Sequence, residues 1–185
     1  VKKVFLILSN CIVFYETYKG EATYENSAEE VAKSSSNILD KWVIALFHKM
    51  LGDGTGALDA YDTFRSARAI RDFCNDFSTW YIRRSRDRFK SDDVEDRNNA
   101  LATTQYILTE FSKYLAPFAP FFAEEMYLKV TEGMSMESVH LEDWPKGESV
   151  SEELERENIL TKMENIRKLV TLGLEARQRA GIKVR

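Results

Sequence analysis

Apolar residues recur at helical spacing along most of this 185-residue chain. Val4, Leu8, Cys11 and Tyr15 are separated by steps of three or four positions, which places them on one face of an amphipathic helix over residues 1–19. Similar patterns predict further helices from residue 37 or 40, over 64–89, from the acidic stretch 91–96 through Leu101, Leu108 and Leu115, over 121–133 and over 152–180. Strand-like alternation is nearly absent, so we expect an all-α fold, a helical bundle of five or six helices.

Glycines, prolines and polar stretches interrupt the helical pattern. Residues 21–37 are rich in Ser, Glu, Lys and Asn and predict a mobile polar loop. The segment 52–56 contains three glycines, each of which weakens a helix interior by about 1 kcal/mol relative to Ala. It therefore predicts a frayed or kinked stretch at the end of the second helix. Asp62 is placed to cap the following helix, and Pro117 and Pro120 predict a break before the next one.

The same pattern indicates the domain organisation. We interpret residues 1–185 as a single domain, with a main bundle over 1–133, an irregular crossover over 134–151 and a C-terminal helix over 152–181. The first residue is Val rather than Met, which suggests a piece of a longer protein. The large apolar residues at the centres of the helical stripes are expected to be buried together: Phe73, Phe77, Leu108, Phe111, Leu115 and Ile166.

Composition narrows the class of protein. With 44% hydrophobic and 30% charged residues, 8 Gly and 3 Pro, the chain is neither collagen-like nor wholly disordered. The net charge of −4 argues against indiscriminate binding to nucleic acid or to an anionic membrane. Two separated cysteines and two isolated histidines form no disulfide framework and no zinc-ligand spacing, so we expect an intracellular, cytoplasmic protein without a bound metal. No apolar run reaches the length of a membrane span.

Local charge is more informative than the total. Residues 65–90 contain eight basic and three acidic residues, and residues 162–185 contain seven basic and two acidic ones. Two basic tracts on an acidic protein are typical of local binding to a polyanion, although a helix surface covered with ion pairs gives the same pattern. Phosphate loops, nucleophile elbows and metalloprotease pairs are absent from the sequence, and adjacent carboxylates such as Glu124 and Glu125 indicate a solvated helix face.

Several sequence strings resemble the anticodon-binding domain of isoleucyl-tRNA synthetases, which are class I aminoacyl-tRNA synthetases. The most specific strings are W-Y-I-R-R-S-R at 80–86 and A-G-I-K-V-R at 180–185. Three others occur in the family order, namely L-D-K-W-V at 39–43, L-A-P-F-A-P-F-F-A-E-E-M-Y at 115–127 and S-V-H-L-E-D-W-P at 138–145. The string L-A-P-F-x-P-F is shared with valyl and leucyl relatives. The resemblance covers nearly the whole chain.

The resemblance implies an all-helical domain that binds the anticodon stem and loop of isoleucine tRNA and packs against the catalytic domain of the same chain. The fragment itself would have no catalytic residues and no cofactor. The parent enzyme would use ATP and Mg to activate isoleucine, but its HIGH and KMSKS signatures, its editing pocket and its C-terminal region lie outside this sequence. No membrane or DNA partner is implied.

Two alternatives to this interpretation remain. The chain could be the equivalent domain of a valyl-tRNA synthetase, or a helical protein-interaction bundle that does not bind RNA. Within the favoured interpretation, helical spacing puts Arg84 and Arg88 on one face, so we assign phosphate contact chiefly to these two. Arg83 and Arg86 are secondary candidates that are better placed to pair with acids. A second candidate set lies near the C-terminus: Arg177, Arg179 and Lys183.

Overall fold

The computed structural model of the chain describes residues 2–131, 137–146 and 150–182, with the backbone only for 150–157. Within these residues the fold is all-α and contains no strand, as the apolar spacing predicts. The chain divides into two compact units, residues 1–147 and 148–185. The helices are α1 (Lys2–Tyr18), α2 (Ala28–Ser34), α3 (Ile38–Asp59), α4 (Thr63–Asp76), α5 (Arg83–Ser85), α6 (Val94–Leu115), α7 (Pro120–Thr131) and α8 (Val150–Arg179).

Side-chain caps determine where several helices begin. Asp62 accepts a hydrogen bond from the Arg65 amide at 2.9 Å, which confirms its predicted capping role at the start of α4. Asp93 caps α6 in the same way, with acceptor bonds from the amides of Glu95 and Asp96. The break between α6 and α7 falls at the predicted Pro117–Pro120 segment, and α7 starts with Pro120, which needs no amide donor there.

Two segments predicted to be irregular contain helix in the structure, the first over part of its length and the second throughout. The expected polar loop over 21–37 contains α2, which begins with a capping box: Ser27 and Glu30 satisfy each other's backbone amides. The expected frayed stretch over 52–56 is wrong as well, because α3 continues through all three glycines to Asp59. Packing explains why position 54 is a glycine, since a Cβ atom there would lie 1.8 Å from the Tyr114 hydroxyl oxygen. The glycine thus lets α6 approach α3 closely.

Contacts between helices establish their directions in unit 1–147. Near the start of α1, the ring of Phe5 lies 5.0 Å from that of Phe122 at the start of α7, and near its end Lys19 reaches the backbone of Lys129 at the end of α7. The α1 and α7 helices are therefore parallel. Similar contacts place α4 parallel to α1, whereas α3 and α6 run in the opposite direction. The bundle thus has two ends, each formed by several helix termini.

Aromatic rings form the centre of the bundle. Phe73 packs against Phe111 with ring centroids 5.3 Å apart, and Phe73 stacks on Phe77 at 5.7 Å. Together with Leu108 and Leu115 these residues are buried, as predicted. Ile166 is an exception, because 51% of it is exposed on α8.

Candidate nucleic-acid interface

The W-Y-I-R-R-S-R string lies where α4 changes its helical form. After Asp76 the chain forms a π-helical turn, Phe77–Ile82, followed by the single α-helical turn Arg83–Ser85. Phe77, Tyr81 and Ile82 face the core and are buried. Arg83, Arg84 and Arg86 follow at once and are exposed. Three exposed guanidinium groups therefore follow directly after the buried residues Phe77, Tyr81 and Ile82.

Three exposed cations of this segment lie over aromatic rings. The Arg84 guanidinium carbon lies 4.2 Å from the centre of the partly exposed Trp80 ring. On the side that faces α1, Arg86 lies 5.8 Å from the ring of Phe14, and Lys90 lies 5.6 Å from the ring of Tyr18. Arg83 forms no ion pair with any residue that the structure describes. We call Arg83, Arg84 and Arg86 the arginine turn.

Arg88, in contrast, points into the protein. Its Nη1 and Nη2 donate to Oδ1 and Oδ2 of Asp40 at 2.7 and 2.8 Å, which is a two-pronged ion pair. Its Nε donates to Oδ1 of Asp96 at 2.8 Å. Only 11% of the Arg88 side chain is exposed, and the Asp40 side chain is completely buried. All three guanidinium nitrogens are therefore bound to carboxylates of α3 and α6.

Two further donors complete the environment of Asp40. The Ser35 hydroxyl donates to Oδ2 at 2.7 Å, and the Tyr81 hydroxyl donates to Oδ1 at 2.8 Å. Burial and the neighbouring Asp40 carboxylate raise the pKa of Tyr81 well above its ordinary value, so its hydroxyl stays protonated. Burial disfavours the charge on Arg88, but the bonds to Asp40 and Asp96 outweigh it and raise the pKa of Arg88. The network thus holds the Arg88 guanidinium between two carboxylates, those of Asp40 and Asp96.

This geometry corrects the assignment of Arg88 to phosphate contact. The prediction that Arg84 and Arg88 share a face requires a continuous helix from one to the other. The helix ends at Ser85, and the chain enters a short 3-10 turn over Arg88–Lys90. The change of backbone turns Arg88 towards Asp40 and leaves Arg84 outside. The expected acid pairing of Arg83 or Arg86 belongs instead to Arg88.

The second predicted set of basic residues lies on α8 and is described by itself. Arg177 and Arg179 are exposed near the end of this helix. Arg179 lies 3.8 Å from Glu175, one turn earlier, in an exposed pair of little energetic weight. Lys183 lies outside the described residues.

Other kinds of site find no support in the described part of the chain. No group of three or more His, Cys, Asp or Glu side chains there is arranged to hold a metal ion. Cys11 and Cys74 are buried free thiols. None of the helices described in the structure has the length and apolar content that a bilayer span requires.

Sequence reasoning missed Asp40 and Tyr81 as residues of the buried network that holds the arginine turn in place. Asp40 lies between the apolar residues Ile38 and Leu39 and the apolar run over 42–47. An acidic residue on the buried face of such a helix is unusual unless it has a partner. This pattern is the signal in the sequence that Asp40 is buried and paired. Its partner, Arg88, is 48 residues away and is identified only by the fold.

Comparison with known proteins places the chain in a family. A family model described as the anticodon-binding domain of tRNA ligase matches residues 40–185. The whole chain is 37% identical to an isoleucine-tRNA ligase of Chlamydia trachomatis, 36% identical to one of Clostridium tetani and 35% identical to one of Thermus thermophilus. It spans 18% of the length of each of these relatives. The family match, together with the all-helical fold, shows that this chain belongs to the anticodon-binding domain family of tRNA ligases.

Proposed function

We propose that this chain is the tRNA-binding domain of an isoleucine-tRNA ligase and that its arginine turn contacts the anticodon stem and loop. The observation that carries the proposal is the exposure of Arg83, Arg84 and Arg86 on a turn that a buried network holds in place. Exposed guanidinium groups donate in fork geometry to phosphate oxygens, and they stack on unpaired bases. Both kinds of contact suit an RNA stem and loop.

Rigidity favours RNA binding at this turn. The turn lies between the buried ring of Tyr81 and the buried ring of Phe89, which packs against Phe14 with ring centroids 4.9 Å apart. Ordering the backbone before binding lowers the entropy lost on association. The acidic net charge of the chain also limits non-specific binding, so the contact depends on the local arrangement of arginines.

The whole ligase, in this proposal, joins isoleucine to its tRNA with ATP and Mg in the cytoplasm. This chain supplies position and selectivity, and the chemistry takes place in a catalytic domain of the same polypeptide. Arg177 and Arg179 on α8 are a second candidate set for the tRNA backbone. Isoleucine rather than valine is favoured by the relatives described above, which are isoleucine-tRNA ligases at 35–37% identity over the full chain.

The test is the salt dependence of tRNA affinity in the full-length ligase. Each lost phosphate contact flattens the slope of log affinity against log salt by about 0.7–0.9. We therefore expect Arg83→Gln with Arg84→Gln to reduce the slope by roughly 1.4–1.8 with isoleucine tRNA. The matched control is Lys33→Gln with Lys129→Gln, which removes two exposed cations on α2 and α7 that pair with Glu29 and Glu125.

The outcomes separate the candidates. An unchanged slope in the double arginine variant, with the control also unchanged, overturns the assignment of the arginine turn. Equal affinity for isoleucine and valine tRNAs would overturn the isoleucine specificity. Absence of any tRNA binding by the unaltered ligase, at low salt, would favour the protein-interaction bundle.

A further inference from the structure

Trp80 and Arg84 form a stacked pair on the surface of the bundle. The Arg84 guanidinium carbon lies 4.2 Å from the centre of the Trp80 ring, which is the shortest of the four cation–ring distances in the described part of the chain. The other three lie between 5.5 and 5.8 Å. A distance this close to van der Waals contact means that the guanidinium covers one face of the ring. We call these two residues the stacked pair.

Burial does not account for a tryptophan at position 80. The rings of Phe77 and Tyr81, on either side of it in the chain, are fully buried and stack with centroids 5.8 Å apart. Trp80 instead remains partly exposed, and the cation on its ring is exposed as well. An exposed contact between a cation and a ring contributes little to stability. The stacked pair therefore adds little to the core and presents its outer surface to solvent.

The backbone that carries the stacked pair has an unusual form. Trp80 belongs to the π-helical turn Phe77–Ile82, and Arg84 lies in the helical turn that follows. Turns of the π-helical kind are rare and frequently occur at functional sites. Between the two members of the pair, the buried hydroxyl of Tyr81 donates to Asp40 at 2.8 Å and holds the backbone in place. The pair is thus ordered before any ligand binds, which lowers the entropy lost on association.

The outer surface of Arg84 is available to a ligand. Its side chain is exposed and forms no ion pair with any residue that the structure describes. Trp80 covers one face of the guanidinium plane, and the opposite face and the N–H edge are open to solvent. A guanidinium stacks on a flat ring through its face and donates to phosphate oxygens through its edge. One arginine can therefore hold a nucleotide both by its base and by a phosphate.

The charge around the stacked pair favours RNA, and its shape favours an unpaired base. Arg83 and Arg86 lie within two residues of Arg84 and are exposed, whereas Asp87 is the single acidic residue between 83 and 90. Such an excess of positive charge attracts a phosphate backbone. Bases in a stem stack on one another, so only the unpaired bases of a loop offer a free face to a side chain. The stacked pair therefore suits a loop rather than a stem.

We propose that the stacked pair is a platform for one unpaired base of the tRNA anticodon loop. The base lies on the outer face of the Arg84 guanidinium, and Trp80 holds that plane in position from the other side. Trp80 is thus a positioning residue, and Arg84 contacts the RNA. The inference rests on the proposed function and adds a base contact to the phosphate contacts of the arginine turn. Because every base has a flat face, the platform orders the loop without reading its sequence.

Binding of isoleucine tRNAs that each lack one base to the full-length ligase tests the platform. The abasic nucleotide is moved through the anticodon loop, and a tRNA with an abasic nucleotide in an unpaired region outside the anticodon arm is the control. Losing a stacked base should lower the affinity at least about 5-fold at one loop position. Replacing that base by another should cost much less than removing it. Equal losses on replacement and removal would mean that the ligase reads the edge of the base, which overturns stacking.

Two variants connect that base to the stacked pair. Arg84→Lys keeps the positive charge and removes the flat guanidinium, and Trp80→Leu removes the ring beneath it. Each should lower the affinity for unaltered tRNA at least about 5-fold while the salt slope stays unchanged. In each variant, removing the base at the identified position should cause no further loss. Trp80→Phe restores a flat ring and should recover most of the affinity.

The matched control is Arg68→Lys, because Arg68 is also exposed and lies 5.5 Å from the ring of a residue four positions earlier, Phe64. This variant should change neither the affinity nor the abasic losses. The proposal is overturned if no loop position is sensitive, or if every abasic loss multiplies with that of Arg84→Lys. A loss in Trp80→Leu with none in Arg84→Lys would assign Trp80 to folding and reject the platform. Failure of the tRNA site itself is detected separately, because the salt slope of Arg83→Gln with Arg84→Gln would then stay unchanged.

Discussion

Replacing Arg88 with Met removes the guanidinium from the interior of the bundle and keeps an unbranched side chain. The fully buried Asp40 carboxylate then loses two charge-assisted hydrogen bonds, each of which contributes about 1.5–3 kcal/mol. Removing one partner of a buried ion pair typically costs about 3–5 kcal/mol. We therefore expect the free energy of unfolding to fall by about 3–5 kcal/mol, a large share of the roughly 5–15 kcal/mol of a typical domain.

Urea unfolding at pH 7, followed by far-UV circular dichroism, measures this change. Arg84→Met is the matched control, since it makes the same substitution at an exposed position four residues earlier. Arg84 loses only its contact with Trp80, and exposed cation–π contacts contribute about 0.5–1 kcal/mol. The two variants should therefore differ by at least about 2 kcal/mol.

A second substitution separates the ion pair from simple packing. Adding Asp40→Asn to Arg88→Met removes the buried charge that has lost its partner, so the double variant should be more stable than Arg88→Met alone. The reasoning is refuted if Arg88→Met costs under about 1 kcal/mol, the range of a surface pair, or if Asp40→Asn deepens the loss. The first result would mean that the Arg88 guanidinium is solvated in the folded protein, and the second that Ser35 and Tyr81 stabilise the Asp40 carboxylate without it.

Two further predictions concern the core. Gly54→Ala should lower the free energy of unfolding by about 1–3 kcal/mol because the new methyl group meets the buried Tyr114 ring, whereas Gly52→Ala, which meets open space, should raise it by about 0.5–1 kcal/mol. Equal effects of the two substitutions in urea unfolding would contradict the close approach of α3 and α6. Burial raises the pKa of Cys11 to about 11, so between pH 9 and 11 the unfolded chain loses a proton that the folded chain keeps, and stability falls as pH rises through that window. The fall in the free energy of unfolding attributable to Cys11 is on the order of 2–3 kcal/mol. It should be absent from Cys11→Ala. An identical alkaline decline in that variant would show that the thiol is solvated.

Local signals in the sequence account for most of the helices. Apolar spacing locates α1, α3, α4 and α6, and Asp62 marks the start of α4 because a cap acts within three residues of itself. The helix α2 carries a comparable local signal, since Ser27 and Glu30 form a capping box. Helix α2 has too few apolar residues to show an amphipathic pattern. The capping box alone predicts its start.

The remaining features depend on residues far apart in the chain. Gly54 weakens a helix when it is considered alone, and its benefit comes from Tyr114, 60 positions later. The inward turn of Arg88 depends on Asp40 in the same way. The π-helical turn Phe77–Ile82 is also invisible to periodicity, because the i, i+4 ridge of Phe73, Phe77 and Tyr81 continues through it. Helical spacing alone therefore could not separate Arg84 from Arg88.

Because Arg84 is exposed and Arg88 is mostly buried, we expect substitutions of the two to affect tRNA binding differently. The arginine turn lies at the end of a helix, where the last turn ordinarily frays. The ion pair of Arg88 with Asp40 and the packing of Phe89 against Phe14 hold it in place. Loss of Arg88 should therefore weaken tRNA binding by a constant factor at every salt concentration, since it adds an ordering cost and removes no phosphate contact. Loss of Arg84 should instead flatten the slope, so parallel and converging salt curves distinguish an arginine that positions the site from one that contacts RNA.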